Sequence, residues 1–198
     1  MVPYYEQRAP EYDEWYTGDG VFAARDRPGW DGEVRALLDV VASLEPARTV
    51  DVACGTGFLT RALRGVVVGV DPSAAMLETS RERHGLTVVR GDAFALPFRD
   101  RAFDRVFTGH FYGHLYPEQR ERFLTEAARV APSLVVVDAK LHAAVEPEQF
   151  QTRVLNDGSR HEVFKRYFTA AQLASELGGG DVLFDGAWFV VVRSPRSP

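Results

Sequence analysis

The chain has one cysteine, Cys54, in 198 residues. That excludes an internal disulfide framework and a metal site built from cysteines. Lysine is almost as scarce: Lys140 and Lys165 stand alone, arginine carries the rest of the positive charge, and acids and bases are interspersed without a basic block. With a formal net charge of -5, the surface is not one built to coat nucleic acid. No apolar run approaches the ~18 residues of a membrane span. The opening MVPYYEQRAPEYDEWY is too charged and aromatic for a signal peptide. There are no internal repeats. The expectation is a soluble, cytoplasmic protein with neither nucleic acid nor membrane as partner.

At 45% hydrophobic, the chain can bury a full core as a single domain, 1–198. From Arg48 onward, β-branched runs alternate with amphipathic stretches. The candidate strands are 48–53, 66–71, 86–91, 103–108 and 133–139, and the intervening FLTRALR, SAAMLETSRERH and PEQRERFLTEAARVA read as helices. Pro72 suits the first turn of the second helix, with Ser73 available as a cap. This order predicts an open, mostly parallel α/β sheet, and the runs VVVGV and LVVV fit strands buried on both faces. Residues 1–44 form a helical cap of two pieces. After Ala139 comes a polar stretch, 140–168, in which Asn-Asp-Gly marks a hairpin turn. A helix at AAQLASELG, stopped by the glycine triplet 178–180, precedes a final strand in AWFVVVR and a frayed SPRSP tail.

The segment DVACGTG, 51–57, ends the first strand. In such sheets ligands bind beyond the carboxyl ends of the strands. Gly55 and Gly57 let the backbone approach a ligand, and the helix expected after them offers free N–H groups. Asp71 and Asp92, at the next two strand tips, are placed to accept from ribose hydroxyls and an adenine amino group, so three successive tips read as a nucleoside socket. A nicotinamide cofactor is the rival, but Thr60 stands where its G-x-G-x-x-G fingerprint needs the third glycine, and no P-loop Gly-Lys-Ser/Thr is present. Cys54 has no base partner in sequence and reads as a small residue packed in a tight turn.

DVACGTG resembles motif I of the class I S-adenosylmethionine-dependent methyltransferases, and the likeness continues in order through GVDPSAAML, RGDAFALPF and FDRVFTGHFYGHL. It implies a Rossmann-like three-layer α/β sandwich, a seven-stranded sheet with an antiparallel last strand, and S-adenosyl-L-methionine as donor, leaving S-adenosyl-L-homocysteine. Carried over, Gly55 and Gly57 would face the methionine part, Asp71 the ribose, Pro72 and Met76 the adenine face, and Asp92 with Ala93 the adenine edge. Tyr5, Arg8 and Tyr12 would enclose the amino-acid end, Gly109 would border the socket, and Asp51 would orient the glycine loop. Ala53 stands where many members have glycine.

For the acceptor, TGHFYGHLY brings His110 and His114 four apart; either is a candidate base at neutral pH. Two histidines without a third ligand do not make a metal site, so none is expected. The aromatics Tyr4, Tyr5, Tyr12, Trp15, Tyr16 and Phe22 would cap the donor or pack on the sheet. Packing accounts for most of them, with Trp15 and Tyr16 the candidate acceptor contacts. Of the charges between 153 and 168, Arg153 and Lys165 are candidate substrate contacts and the others fit a solvated face. Strand alternation puts Val163, Lys165 and Tyr167 on one side and Phe164, Arg166 and Phe168 on the other. The 140–168 stretch resembles that of a bacterial phosphonate O-methyltransferase, which implies O-methylation of a small, anionic or polar metabolite. The alternatives are N- or C-methylation, a non-catalytic S-adenosylmethionine-binding protein, and an NAD-dependent oxidoreductase.

Overall fold

In a computed structural model, which describes residues 2–143 and 145–195, the valine runs become the centre of a seven-stranded sheet. The end of the SPRSP tail, 196–198, lies outside the described residues. The cap comprises α1 (Val2–Arg8), α2 (Glu14–Thr17) and α3 (Trp30–Ser43). A 3-10 turn that Pro10 opens separates α1 from α2, since proline brings no N–H to continue a helix. There follow β1 (Ala47–Val52), β2 (Gly65–Asp71), α4 (Ala74–His84), β3 (Val88–Arg90), β4 (Arg105–Gly109), α5 (Pro117–Val130) and β5 (Leu134–Ala139). A separate hairpin, β6 (Glu148–Val154) with β7 (Arg160–Arg166), then interrupts the sheet before α6 (Ala170–Glu176), β8 (Asp181–Asp185) and β9 (Phe189–Arg193) close it.

The strand order is β3-β2-β1-β4-β5-β9-β8. β1 to β5 run parallel, and β9 lies antiparallel between β5 and β8. The order reverses between β1 and β4, which sets the switch-point crevice beside the glycine loop. Val135, Val136 and Val137 of β5 and Val190, Val191 and Val192 of β9 have no exposure, as strands covered on both faces require. One face packs under Leu37 and Val41 of α3, the other under Phe123 and Val130 of α5. β8 is the strand that alternation does not announce: it lies at the sheet edge with no residue fully buried.

Three expectations are corrected. FLTRALR forms no α-helix; only Thr60–Ala62 make a 3-10 turn, because the twelve residues between β1 and β2 are spent on the glycine loop and the return to the sheet. Pro72 sits just outside α4, and Ser73 is the cap, its Oγ accepting from the Met76 N–H at 3.2 Å. Phe168 does not share the outer face with Phe164. β7 ends at Arg166, and the chain then turns inward to bridge Lys140, burying the Phe168 ring completely.

The cap is tied down across α4. The Glu6 carboxylate accepts from the Ala74 and Ala75 N–H groups at 2.7 and 3.1 Å. Asp13 accepts from Thr56 Oγ1 at 2.5 Å and from Arg83 at 2.6 Å. Residues far apart in sequence therefore roof the tips of β1 and β2.

Candidate active site

At the first strand tip, backbone conformation follows the small residues. Ala53, Gly55 and Gly57 all have positive φ, at 58°, 55° and 82°. The Cβ direction of Gly57 points at Leu86 and Ser80, 2.5 and 2.8 Å away, so a side chain there is barred by α4 packing. Gly55 opens instead toward the Tyr12 ring, 3.8 Å from where a Cβ would stand. Asp71 is buried, and its two oxygens accept from Gly55 N–H at 3.0 Å and Ser73 N–H at 2.9 Å. It thus joins the first and second strand tips. Burial raises its pKa to about 6 against those two bonds.

Asp51 accepts from Thr60 Oγ1 at 2.5 Å, which ties the loop's start to the 3-10 turn. Its other oxygen has no partner among the described residues, and burial pushes its pKa up to about 8. Met76 is buried with Sδ 3.9 Å from the Gly55 Cβ position. Asp92 is exposed beyond β3, with Oδ1 accepting from Phe94 N–H, and Ala93 is buried beside it.

A second, much larger space lies across Tyr12. It is a cavity of about 530 Å³, walled by α1 and α2, the segment 25–30, the turn after β4, the tip of β5 and the hairpin. Tyr5, Arg8, Tyr12 and Trp15 reach it from the cap, His110 and His114 from the turn, and Arg153 and Lys165 from the hairpin. Tyr4 also lines it, so four of the six cap aromatics face this cavity; packing was the expectation for Tyr4, the donor's amino-acid end for Tyr5 and Tyr12, and an acceptor contact for Trp15. Tyr16 does not. It stacks on Phe58 at 3.9 Å and lines a narrow cleft with Asp51, Ala53 and Gly109. Tyr12 is common to both spaces.

The two histidines differ. His110 has φ 56°, and neither ring nitrogen has a partner among the described residues. Its ring lies against Trp15 at 4.7 Å and Phe189 at 5.5 Å. His114 Nδ1 lies 2.6 Å from the Phe164 carbonyl oxygen, which can only accept, so Nδ1 carries the hydrogen and Nε2 keeps its lone pair. Burial pushes both rings down to about 3, leaving them neutral at physiological pH.

Lys165 is 4% exposed and donates to Asp138, itself fully buried at the tip of β5, so it is not the solvated charge expected for most of this stretch. Arg8 is buried, donates to Tyr4 Oη, and lies over the Tyr12 ring at 5.0 Å. Neither Arg8 nor Arg153 has a carboxylate within ion-pair distance among the described residues. Asp138 and Gly113, which support Lys165 from behind the cavity wall, and Glu6, which holds the cap on α4, are residues that the sequence reading passed over. Asp138 had a usable signal, an acid at the tip of a strand with no polar neighbour. Gly113 and Glu6 had none, because what they touch is distant in sequence.

The family model of the methyltransferase domain matches residues 50–133. DhpI in complex with SAH superposes on 100% of this chain and 95% of its own with a TM-score of 0.73 at 27% identity. Its complex with SAM and HEP gives 0.74 at 25% identity, over 98% and 95%. The chain therefore carries a methyltransferase-domain segment on the fold that these two methyltransferase-like structures share. The chain is also 32% identical over 132 residues to the demethylmenaquinone methyltransferase of Shouchella clausii (strain KSM-K16), 61% of this chain and 54% of that one. It is 40% identical over 97 residues to the fatty-acid O-methyltransferase of Mycolicibacterium smegmatis (strain ATCC 700084 / mc(2)155), 45% and 35% of the two chains. It therefore spans about half the length of the first of these curated relatives and about a third of the second. Among the described residues of the chain, no helix is long and apolar enough to cross a membrane.

Proposed function

We propose that the protein methylates an anionic oxygen of a small molecule with S-adenosylmethionine as donor. The observation that carries the reading is charge: Arg8, Arg153 and Lys165 face one cavity, and only Lys165 has an acid partner. A buried cation without a counter-charge is costly, and a bound oxyanion supplies one. The neutral histidines agree. A ring that holds a proton only near pH 3 is a poor base, and an acceptor that arrives ionised needs none. The unpartnered His110 ring can then donate its N–H to the acceptor oxygen, whereas His114 Nε2 can only accept from a protonated group elsewhere on the acceptor. A cationic wall also disfavours a protonated amine, which sets N-methylation second.

The strand-tip residues fit the donor. The unpartnered Asp51 oxygen suits the ammonium of the methionine part, Gly55 leaves room for backbone approach, and Tyr12 closes the socket from the cavity side. Asp71, with Asp92 and Ala93 beyond it, would take the ribose and adenine, beside Pro72 and Met76. When bound, the donor supplies a methyl group on a sulfonium. Transfer of that methyl to an ionised oxygen would neutralise both charges, with the S–C bonding pair left on sulfur, so no residue of the protein would have to take up a proton. Tyr12, which lines both spaces, would border donor and acceptor alike, and their proximity and the exclusion of water would supply much of the rate.

The test is calorimetric titration with S-adenosylhomocysteine, then mass-spectrometric detection of methyl esters across a panel of small phosphonic and carboxylic acids, phenols and amines. Esters of the acids are expected. Binding of the nucleoside with amines or phenols methylated instead would remove the anionic-oxygen reading while leaving the methyltransferase.

A further inference from the structure

We infer that Asp138 is a positioning residue for methyl transfer, fixing the Lys165 ammonium on the cavity wall and tying it to the turn that carries His110 and His114. The inference rests on the reading of the cavity as a site for an anionic acceptor. Asp138 has no exposed surface and satisfies three donors from three places. The Gly113 N–H donates to Oδ2 at 2.7 Å, the Ala139 N–H donates to Oδ1 at 2.7 Å, and the Lys165 ammonium donates to Oδ1. The tip of β5, the turn at 112–114 and β7 therefore converge on one carboxylate.

The packing admits this only because residue 113 is glycine. A Cβ there would stand 2.6 Å from the Arg166 carbonyl oxygen, 2.8 Å from Lys165 Nζ and 2.9 Å from Asp138 Oδ1. The same turn is tied to β7 a second time, by His114 Nδ1–H to the Phe164 carbonyl, one residue before Lys165. Turn and strand are thus held together by one direct bond, at the Phe164 carbonyl, and by the Asp138 carboxylate that Gly113 and Lys165 share.

A buried ion pair of this kind adds little stability over an apolar pair of the same volume, because desolvating both charges offsets their attraction. Its value lies in geometry. A lysine stem is flexible and its ammonium has three donors. With one donor fixed on Asp138, the remaining N–H groups have defined directions at the cavity wall. The charged and titratable groups facing Lys165 are Asp138 from β5, His110 and His114 from the turn, Arg153 from β6, and the Tyr167 ring at 5.9 Å. Asp138 is the one negative charge among them, and it opposes the burial that lowers the lysine's pKa.

The experiment uses the full chain, saturated with S-adenosylhomocysteine, and measures methylphosphonate affinity by calorimetry between pH 6 and 10. For Asp138→Asn the expected result is an unchanged nucleoside affinity, methylphosphonate affinity reduced about tenfold at pH 7, and an alkaline loss of binding that begins at lower pH than in the native protein. A merely structural role would weaken both ligands together and leave the pH profile in place, and that result overturns the inference. Should Asp138→Asn fail to fold, the double variant Asp138→Asn/Lys165→Met is compared with Lys165→Met. Equal methylphosphonate affinities support the inference, because Asp138 then acts through Lys165 alone, and a further loss in the double variant overturns it. If the native protein itself binds no methylphosphonate, the anionic-acceptor reading falls and the inference with it. If native protein binds and Asp138→Asn binds equally, only the positioning role falls.

Discussion

On one side of Tyr12, at the tips of β1, β2 and β3, polar contacts run mostly through the backbone: Asp71 holds Gly55 and Ser73 by their N–H groups, and Asp92 holds Phe94 likewise. On the other side the cavity is walled by side chains from the cap, the turn after β4, β5 and the hairpin, joined by Asp138, Lys165 and His114. The first region is written in short contiguous stretches. The second is assembled from residues more than a hundred positions apart, such as Arg8 and Lys165. Backbone-coded sites tolerate drift in side chains, whereas side-chain sites can change ligand through a few substitutions. A donor socket common to a family and an acceptor cavity particular to each member follow from that difference.

The largest expected effect breaks the socket alone. Asp71→Ala leaves two buried N–H groups unpaired, each worth about 1–3 kcal/mol. S-adenosylhomocysteine affinity should fall a hundredfold or more in calorimetry. The cavity should be spared, with hydrogen exchange of the hairpin amides in β6 and β7 unchanged. Loss of hairpin protection in step with nucleoside binding would mean that the two regions are one cooperative unit.

The contrast also explains what the residues revealed in advance. DVACGTG, GVDPS and RGDAF each carry their own turn chemistry, so the sheet and its strand tips, where the donor is proposed to sit, were legible. The α-helix expected after Gly57 was not found, since apolar spacing in FLTRALR is also met by a 3-10 turn packed on the sheet. Lys165 stands out in HEVFKRYF as a candidate contact, but its partner is not legible there because Asp138 lies 27 residues earlier, on another element. Tyr16 looked like a neighbour of Trp15 in function, but successive residues on a helix diverge by ~100°, and α2 sends the two rings to different spaces.

A second break falls on the cavity. His110 and His114 have folded pKa values of about 3 against an unfolded value of ~6.5. Their contribution to stability is complete above pH 6.5 and is lost as pH falls toward 3, because the unfolded chain takes up protons that the folded one refuses. His110→Asn removes one of these groups, and asparagine tolerates the positive φ at this position. Urea unfolding at pH 7 and pH 4 compares native protein and variant, to which Asp51 and Asp71 contribute alike. On acidification the variant should keep about 3 kcal/mol that the native protein loses at His110, at roughly 1.4 kcal/mol per pH unit below 6.5. Asp51 and Asp71 carry the opposite sign. Raised to about 8 and about 6, they stabilise most at low pH, and that share is lost as pH rises through those values. An acid limb identical in native protein and variant would show that His110 is not held neutral by burial.

The smallest effect sharpens the claim that the socket is coded in backbone. Ala53 adopts φ 58°, a left-handed conformation that costs a residue with a Cβ about 1–2 kcal/mol. Replacing it by glycine removes that strain but adds unfolded-state entropy worth about 0.4–1 kcal/mol. The two nearly cancel, so Ala53→Gly should stabilise by about 0.5 kcal/mol, roughly 1–2 °C in Tm for a chain of this size. S-adenosylhomocysteine affinity should stay within a factor of about two. If the variant is instead destabilised by 1 kcal/mol or more, the alanine methyl packs usefully in the cleft beside Phe58 and Leu59. In that event this part of the socket, too, is made by side chains.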